Sequence, residues 1–139
     1  MIGLMAAILA APAAPVAVPA ATTQAIFDAA SSAVDKGDCA EALRQFGLLD
    51  GRAASRRPAV AAVVALRRGR CLVHVARLDE GQAALDTGLA TIGDAPVYLA
   101  DRVLALVARG EIAFHRFDYA AAARDFTAAR TLAPPTERL

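Results

Sequence analysis

The stretch that most constrains the fold is 106–135, LVARGEIAFHRFDYAAAARDFTAARTLAPP. Apolar residues recur at helical steps on both sides of a polar corner from Arg116 to Asp118, and the pair Pro134-Pro135 closes the second run. Proline cannot continue a helix, because it has no amide proton and its ring strikes the preceding turn. The stretch therefore predicts one helical hairpin. The same grammar returns over 66–93 and, more weakly, over 26–49, so the chain reads as a short array of one unit. Aromatic residues make up only 5% of the chain, tryptophan is absent and alanine is abundant, which fits close helix packing and disfavours a β-sandwich or an aromatic-lined cofactor pocket. The expected fold class is all-α.

Small and large residues alternate in a repeated order. The last unit carries Gly110, Ala113, Tyr119, Ala122, Phe126, Ala129 and Pro134. At matching places the middle unit has Gly69, Leu72, Leu78, Gly81, Leu85 and Gly88, and the first has Ile26, Ala30, Ala33, Gly37, Ala42 and Phe46. Glycine or alanine lets two helix backbones approach, and the large residue beside it fills the remaining space. In these residues the chain resembles the tetratricopeptide repeat (TPR) family. From Gly69 to Gly110, His74 to His115 and Gly81 to Ala122 the step is 41 positions, against about 34 in the family, as in its long-helix members. The resemblance implies a right-handed α-α superhelix of about three hairpins, with repeats at 22–56, 58–94 and 95–135 in a repeat domain over 21–135, and a tail or truncated continuation at 136–139.

Residues 1–21 contain no charged side chain and carry Pro12, Pro15 and Pro19. The apolar run 2–11 has the length of a signal-peptide core and is too short for a membrane span of about 20 residues. Val18-Pro19-Ala20 supplies small residues before a cut after Ala20, so segment 1–20 is expected to be a cleaved signal peptide and the mature chain periplasmic or secreted; a disordered or wrongly assigned start is the alternative. Further on, Thr22 or Thr23 can cap the first helix, and Gly37-Asp38 turns the chain with Asp38 as the next N-cap. Arg52, Arg56 and Arg57 read as a solvated loop, a long helix is expected over 59–76, and Pro96 is expected to open the fifth helix. The uninterrupted apolar part of the long helix, 59–66, is far short of a membrane span.

A net charge of +1 gives no electrostatic case for nucleic acid as a partner. No catalytic constellation is present: Cys71 and His74 share a helix face, but a nucleophile also needs an orienting group and an oxyanion site, and neither is identifiable. A metal site from Cys71, His74 and His115 lacks a fourth ligand and the paired spacing of structural zinc. No glycine-rich phosphate loop occurs, so no cofactor is expected. For an exported chain, the two cysteines, Cys39 and Cys71, allow a disulfide, because folding about the loop near Ala54 brings them to similar height; two buried thiols are the alternative.

Function follows from the resemblance. In TPR arrays the first helix of each pair lines a concave groove, which here would present Asp28, Ser31, Asp35, Arg67, Arg70, His74, Glu111 and His115 to a protein or peptide partner. Arg67 and Arg70 would grip a carboxylate or a carbonyl, while His74 and His115, equivalent in successive repeats, would line an extended peptide or simply face helix C-termini. The lysine and asparagine set of chaperone-binding members is absent. The leading expectation is a non-enzymatic interaction scaffold. One alternative is the recognition segment of a larger protein with a downstream catalytic domain, for example a caspase-like peptidase. Another is a structural subunit that forms homo-oligomers through an uncapped C-terminal end.

Overall fold

The structure, a computed structural model, describes residues 12–15 and 20–134. The signal-like segment 1–20 lies for the most part outside the described residues, as does the tail 136–139. Among the described residues six α-helices follow one another: α1 (Thr23–Asp35), α2 (Cys39–Leu49), α3 (Pro58–His74), α4 (Leu78–Ile92), α5 (Leu99–His115) and α6 (Tyr119–Leu132). No strand occurs among the described residues. The fold is all-α, and each odd helix packs on the next even one as a hairpin, with further contacts from α2 and α1 to α3 and from α3 and α4 to α5.

One corner serves all three hairpins. Gly37, Ala76 and Phe117 take left-handed φ values of 75°, 62° and 62°. The amide of the next residue then donates back to the last helical turn: Asp38 to the Ala33 carbonyl at 2.9 Å, Arg77 to Leu72 at 2.8 Å and Asp118 to Ala113 at 2.9 Å. This is the six-to-one bond of a Schellman motif, which satisfies carbonyls that a helix end would otherwise leave bare. Asp38 and Asp118 go on to cap the following helix through the Glu41 and Ala121 amides. Arg77 cannot accept such a bond; it instead pairs with Glu80, one turn on, through two contacts. The left-handed residue at 76 is also why α3 stops at His74 rather than running to 76. Thr22 caps α1 through the Ala25 amide. Two 3₁₀ turns depart from the sequence expectation. Residues 96–98 form one, so α5 opens at Leu99 and not at Pro96. The other occupies the arginine loop, Ala53–Arg56, where Arg52 donates to the Leu48 and Ala21 carbonyls and Arg56 to that of Gly51. Arg52 and Arg56 thus tie the loop down, while Arg57 is exposed and makes no side-chain hydrogen bond among the described residues.

Glycine is used where backbones cross. A Cβ added at Gly69 would lie 2.8 Å from Leu85 Cγ, and one at Gly110 would lie 2.6 Å from the Phe126 ring. At Gly88 it would meet Leu66 at 2.6 Å and the Ala62 carbonyl oxygen at 2.9 Å. Two apolar clusters result. Ile26, Ala30, Ala42, Phe46 and Leu49 pack with Val64 and Cys71 of α3, while Leu66, Val73 and Leu85 pack with Ala105, Ala108 and Ile112 of α5. Cys39 and Cys71 form a disulfide with Cα atoms 5.0 Å apart, joining the first hairpin to α3. Closing a loop with a separation of 32 residues restricts the unfolded chain by an amount worth about 3–4 kcal/mol.

Candidate functional site

The odd helices share one face. On α1 it carries Phe27, Ser31 and Asp35; on α3, Val60, Val63, Arg67, Arg70 and His74; on α5, Asp101, Leu104 and Glu111. These residues recur at three- and four-residue steps, which stack side chains along one side of a helix. The face has three zones, set by what each turn of the helices contributes.

Near the N-terminal ends of the odd helices lies an open apolar hollow of about 540 Å³, whose walls include Phe27, Leu49, Val60, Val63 and Tyr98. Thr23, Ser55 and Arg57 add polar groups, and the Ser55 hydroxyl oxygen is buried without a hydrogen-bond partner among the described residues. An apolar cleft of this size with few polar groups has the make-up of a ligand-binding cleft.

In the middle, Arg67 clasps the three odd helices together. Its Nε donates to Asp101 Oδ1 at 3.0 Å, its Nη1 to Ser31 Oγ at 2.7 Å, and its guanidinium lies 5.3 Å from the Phe27 ring centre. Both charged partners are largely sheltered, with side-chain exposures of 27% and 15%, so the pair is more than a solvated surface contact. Arg67 was expected to grip a ligand carboxylate; its donors are turned inward to Asp101 and Ser31 instead.

Toward the C-terminal ends a second hollow, about 230 Å³, is lined by Arg70, His74, Leu104, Val107 and Glu111. Arg70 is half-buried and, among the described residues, makes neither a hydrogen bond nor an ion pair. Burial pushes its guanidinium below the ordinary value; Asp101, Asp35 and Glu111 pull the other way, and the Arg67 charge adds to the depression. An arginine remains cationic under any such shift, so the hollow holds a desolvated charge with open donors.

The other expected site residues divide by place. Asp28 is exposed and accepts from Gln24 at 2.8 Å, and Asp35 is exposed at the end of α1. His74 borders the second hollow, whereas His115 lines a different one with Phe114 and Phe126, so the two equivalent histidines do not meet. Asp101 escaped the sequence reading. Its counterpart one repeat earlier is Val60, so the repeat pattern gives no hint of a carboxylate there. Phe27, Val63 and Tyr98 escaped as well, because apolar residues at helical spacing read as core. Among the described residues, no group of three or more His, Cys, Asp and Glu side chains is arranged to hold a metal ion, and no helix is long and apolar enough to cross a membrane. No protein-family model matches the chain, and no curated protein or solved structure matches it.

Proposed function

We propose that the chain is a non-enzymatic interaction module of the TPR kind, in which three hairpins wind as a right-handed superhelix and the odd-helix face takes an extended peptide. The repeated Schellman corner, the glycine-to-large pairs and the contacts between successive hairpins support the family reading. The observation that carries the binding role is Arg70, a half-buried cation on that face whose donors have no hydrogen-bond partner among the described residues. Leaving such a group unmatched is costly for a fold, and a ligand carboxylate would supply the missing partner.

The zones also set the ligand's form. Val63 and Arg70 lie seven residues apart on α3, a rise of about 10 Å, which about three residues of extended peptide would span. The ligand is thus a segment with an apolar side chain for the first hollow and, about three residues away, an Asp, a Glu or a free C-terminus for Arg70. The Cys39–Cys71 bond supports residence in an oxidising compartment, in keeping with an exported chain.

Selection of a random peptide display library on the immobilised chain tests this. Enriched peptides should share the apolar-and-acidic spacing and lose binding at least tenfold to Arg70→Gln with its helical signal intact. Failure to enrich any sequence, or enrichment that survives Arg70→Gln, would remove the assignment.

A further inference from the structure

The α5/α6 hairpin repeats α3/α4, yet side chains at equivalent positions have opposite fates. Val73 is 7% exposed and Leu85 0% exposed, while their counterparts 41 positions on, Phe114 and Phe126, are 54% and 38% exposed. Tyr119, the counterpart of the partly buried Leu78, is 56% exposed. The difference has one cause: α5 covers the α3/α4 face with Ala105, Ala108 and Ile112, and nothing among the described residues covers the face of α5/α6. Tyr119 therefore packs edge-on against Phe114 and Phe117 in the open, with centroid distances of 5.5 Å and 6.4 Å.

At the other end of the array α1 shows the complementary surface. Aligned on the shared corner, Ala25, Ala29 and Ser32 correspond to Val64, Arg68 and Cys71 of α3 and to Ala105, Arg109 and Ile112 of α5. In α3 and α5 these positions pack on the preceding hairpin, and on α1 all three are exposed and small. Large rings at one end thus match small residues at the other, as large Leu85 matches small Ala105 and Ala108 inside the molecule. At the place of the α4–α5 pair Asp86–Arg109 the open faces carry Thr127 and Ala29, and at that of the α2–α3 pair Asp50–Arg68 they carry Arg130 and Ala29, so the match is one of size rather than of charge.

We infer that the Phe114–Tyr119–Phe126 face docks on the Ala25–Ala29–Ser32 face of a second copy, head to tail, continuing the hairpin-to-hairpin packing that occurs twice within the chain. Such a contact joins two different surfaces and leaves both outer ends free, so it propagates and does not close at a dimer. It is independent of the odd-helix groove and of Arg70.

Sedimentation velocity from low micromolar to millimolar concentration should show mass rising past the dimer. Phe114→Asp and Ala25→Asp, both at exposed positions, the latter matching buried Val64 and Ala105, should each remain monomeric with unchanged helical signal. Mixed in equal amounts, the two variants should recover a one-to-one complex, because each retains the intact face that the other lacks. A monomer at all concentrations would overturn the inference. So would a dimer that grows no further, or association lost in Phe114→Asp but unaffected in Ala25→Asp.

Discussion

Hairpins α3/α4 and α5/α6 place the same residue types at the same steps, and they differ in what lies on their far side. Gly69 against Leu85 and Gly110 against Phe126 are one crossing built twice. In the first, Leu85 is sealed under α5; in the second, Phe126 faces outward. The local code thus decides how a hairpin closes, and the neighbouring hairpin decides how much that closure stabilises.

Truncating the large partner should show the largest contrast. Leu85→Ala is expected to destabilise by about 2–5 kcal/mol, as for a buried leucine whose cavity cannot collapse. Phe126→Ala should cost less, about 1–2 kcal/mol, because its ring already meets water and the vacated space can fill. Chemical denaturation of both variants measures this, and equal losses would break the comparison. Filling the small partner comes next. At Gly69 an added methyl meets an enclosed leucine, with a net loss of about 1–3 kcal/mol. At Gly110 the ring can swing toward solvent, and alanine's better helix propensity of about 1 kcal/mol offsets most of the strain. Gly110→Ala should then fall near zero in the same measurement. The smallest effects are at the corners. Ala76→Gly relieves a left-handed side chain and should raise stability by about 0.5–1 kcal/mol; Phe117→Gly gains the same relief but gives up the ring's edge-on contact with Tyr119, so its denaturation midpoint should rise less or not at all.

Much of this architecture was legible because it is local. Gly37-Asp38 and Arg116 to Asp118 announced two corners, Thr22 a cap, and the glycine-to-large alternation the crossings, all from residues a few positions apart. Cys39 and Cys71 were bridgeable once the intervening loop folded back. The site was legible only in part. Arg67 and Arg70 are three residues apart on one helix and look interchangeable in sequence; what separates them is Asp101, 34 residues from Arg67, which hydrogen-bonds Arg67 and reaches Arg70 only through its charge. The stacking of partly buried Phe27 beneath the Arg67 guanidinium and the apolar hollow beside it arise from three helices meeting, and no single segment encodes them. Arg109 likewise joins α4, α5 and α6 through Asp86 and Asp125, a junction without a local signature.

The contrast between these two arginines gives the most direct test of the binding account, and it needs no ligand. Arg67→Met removes the partner of sheltered Asp101 and should destabilise by about 1–3 kcal/mol. Arg70→Met removes a half-buried cation that makes no hydrogen bond or ion pair among the described residues, so its denaturation midpoint should be unchanged or higher, the mark of a residue that function retains at the expense of stability. A loss for Arg70→Met as large as that for Arg67→Met would make Arg70 part of the scaffold and contradict the claim that it waits for a carboxylate.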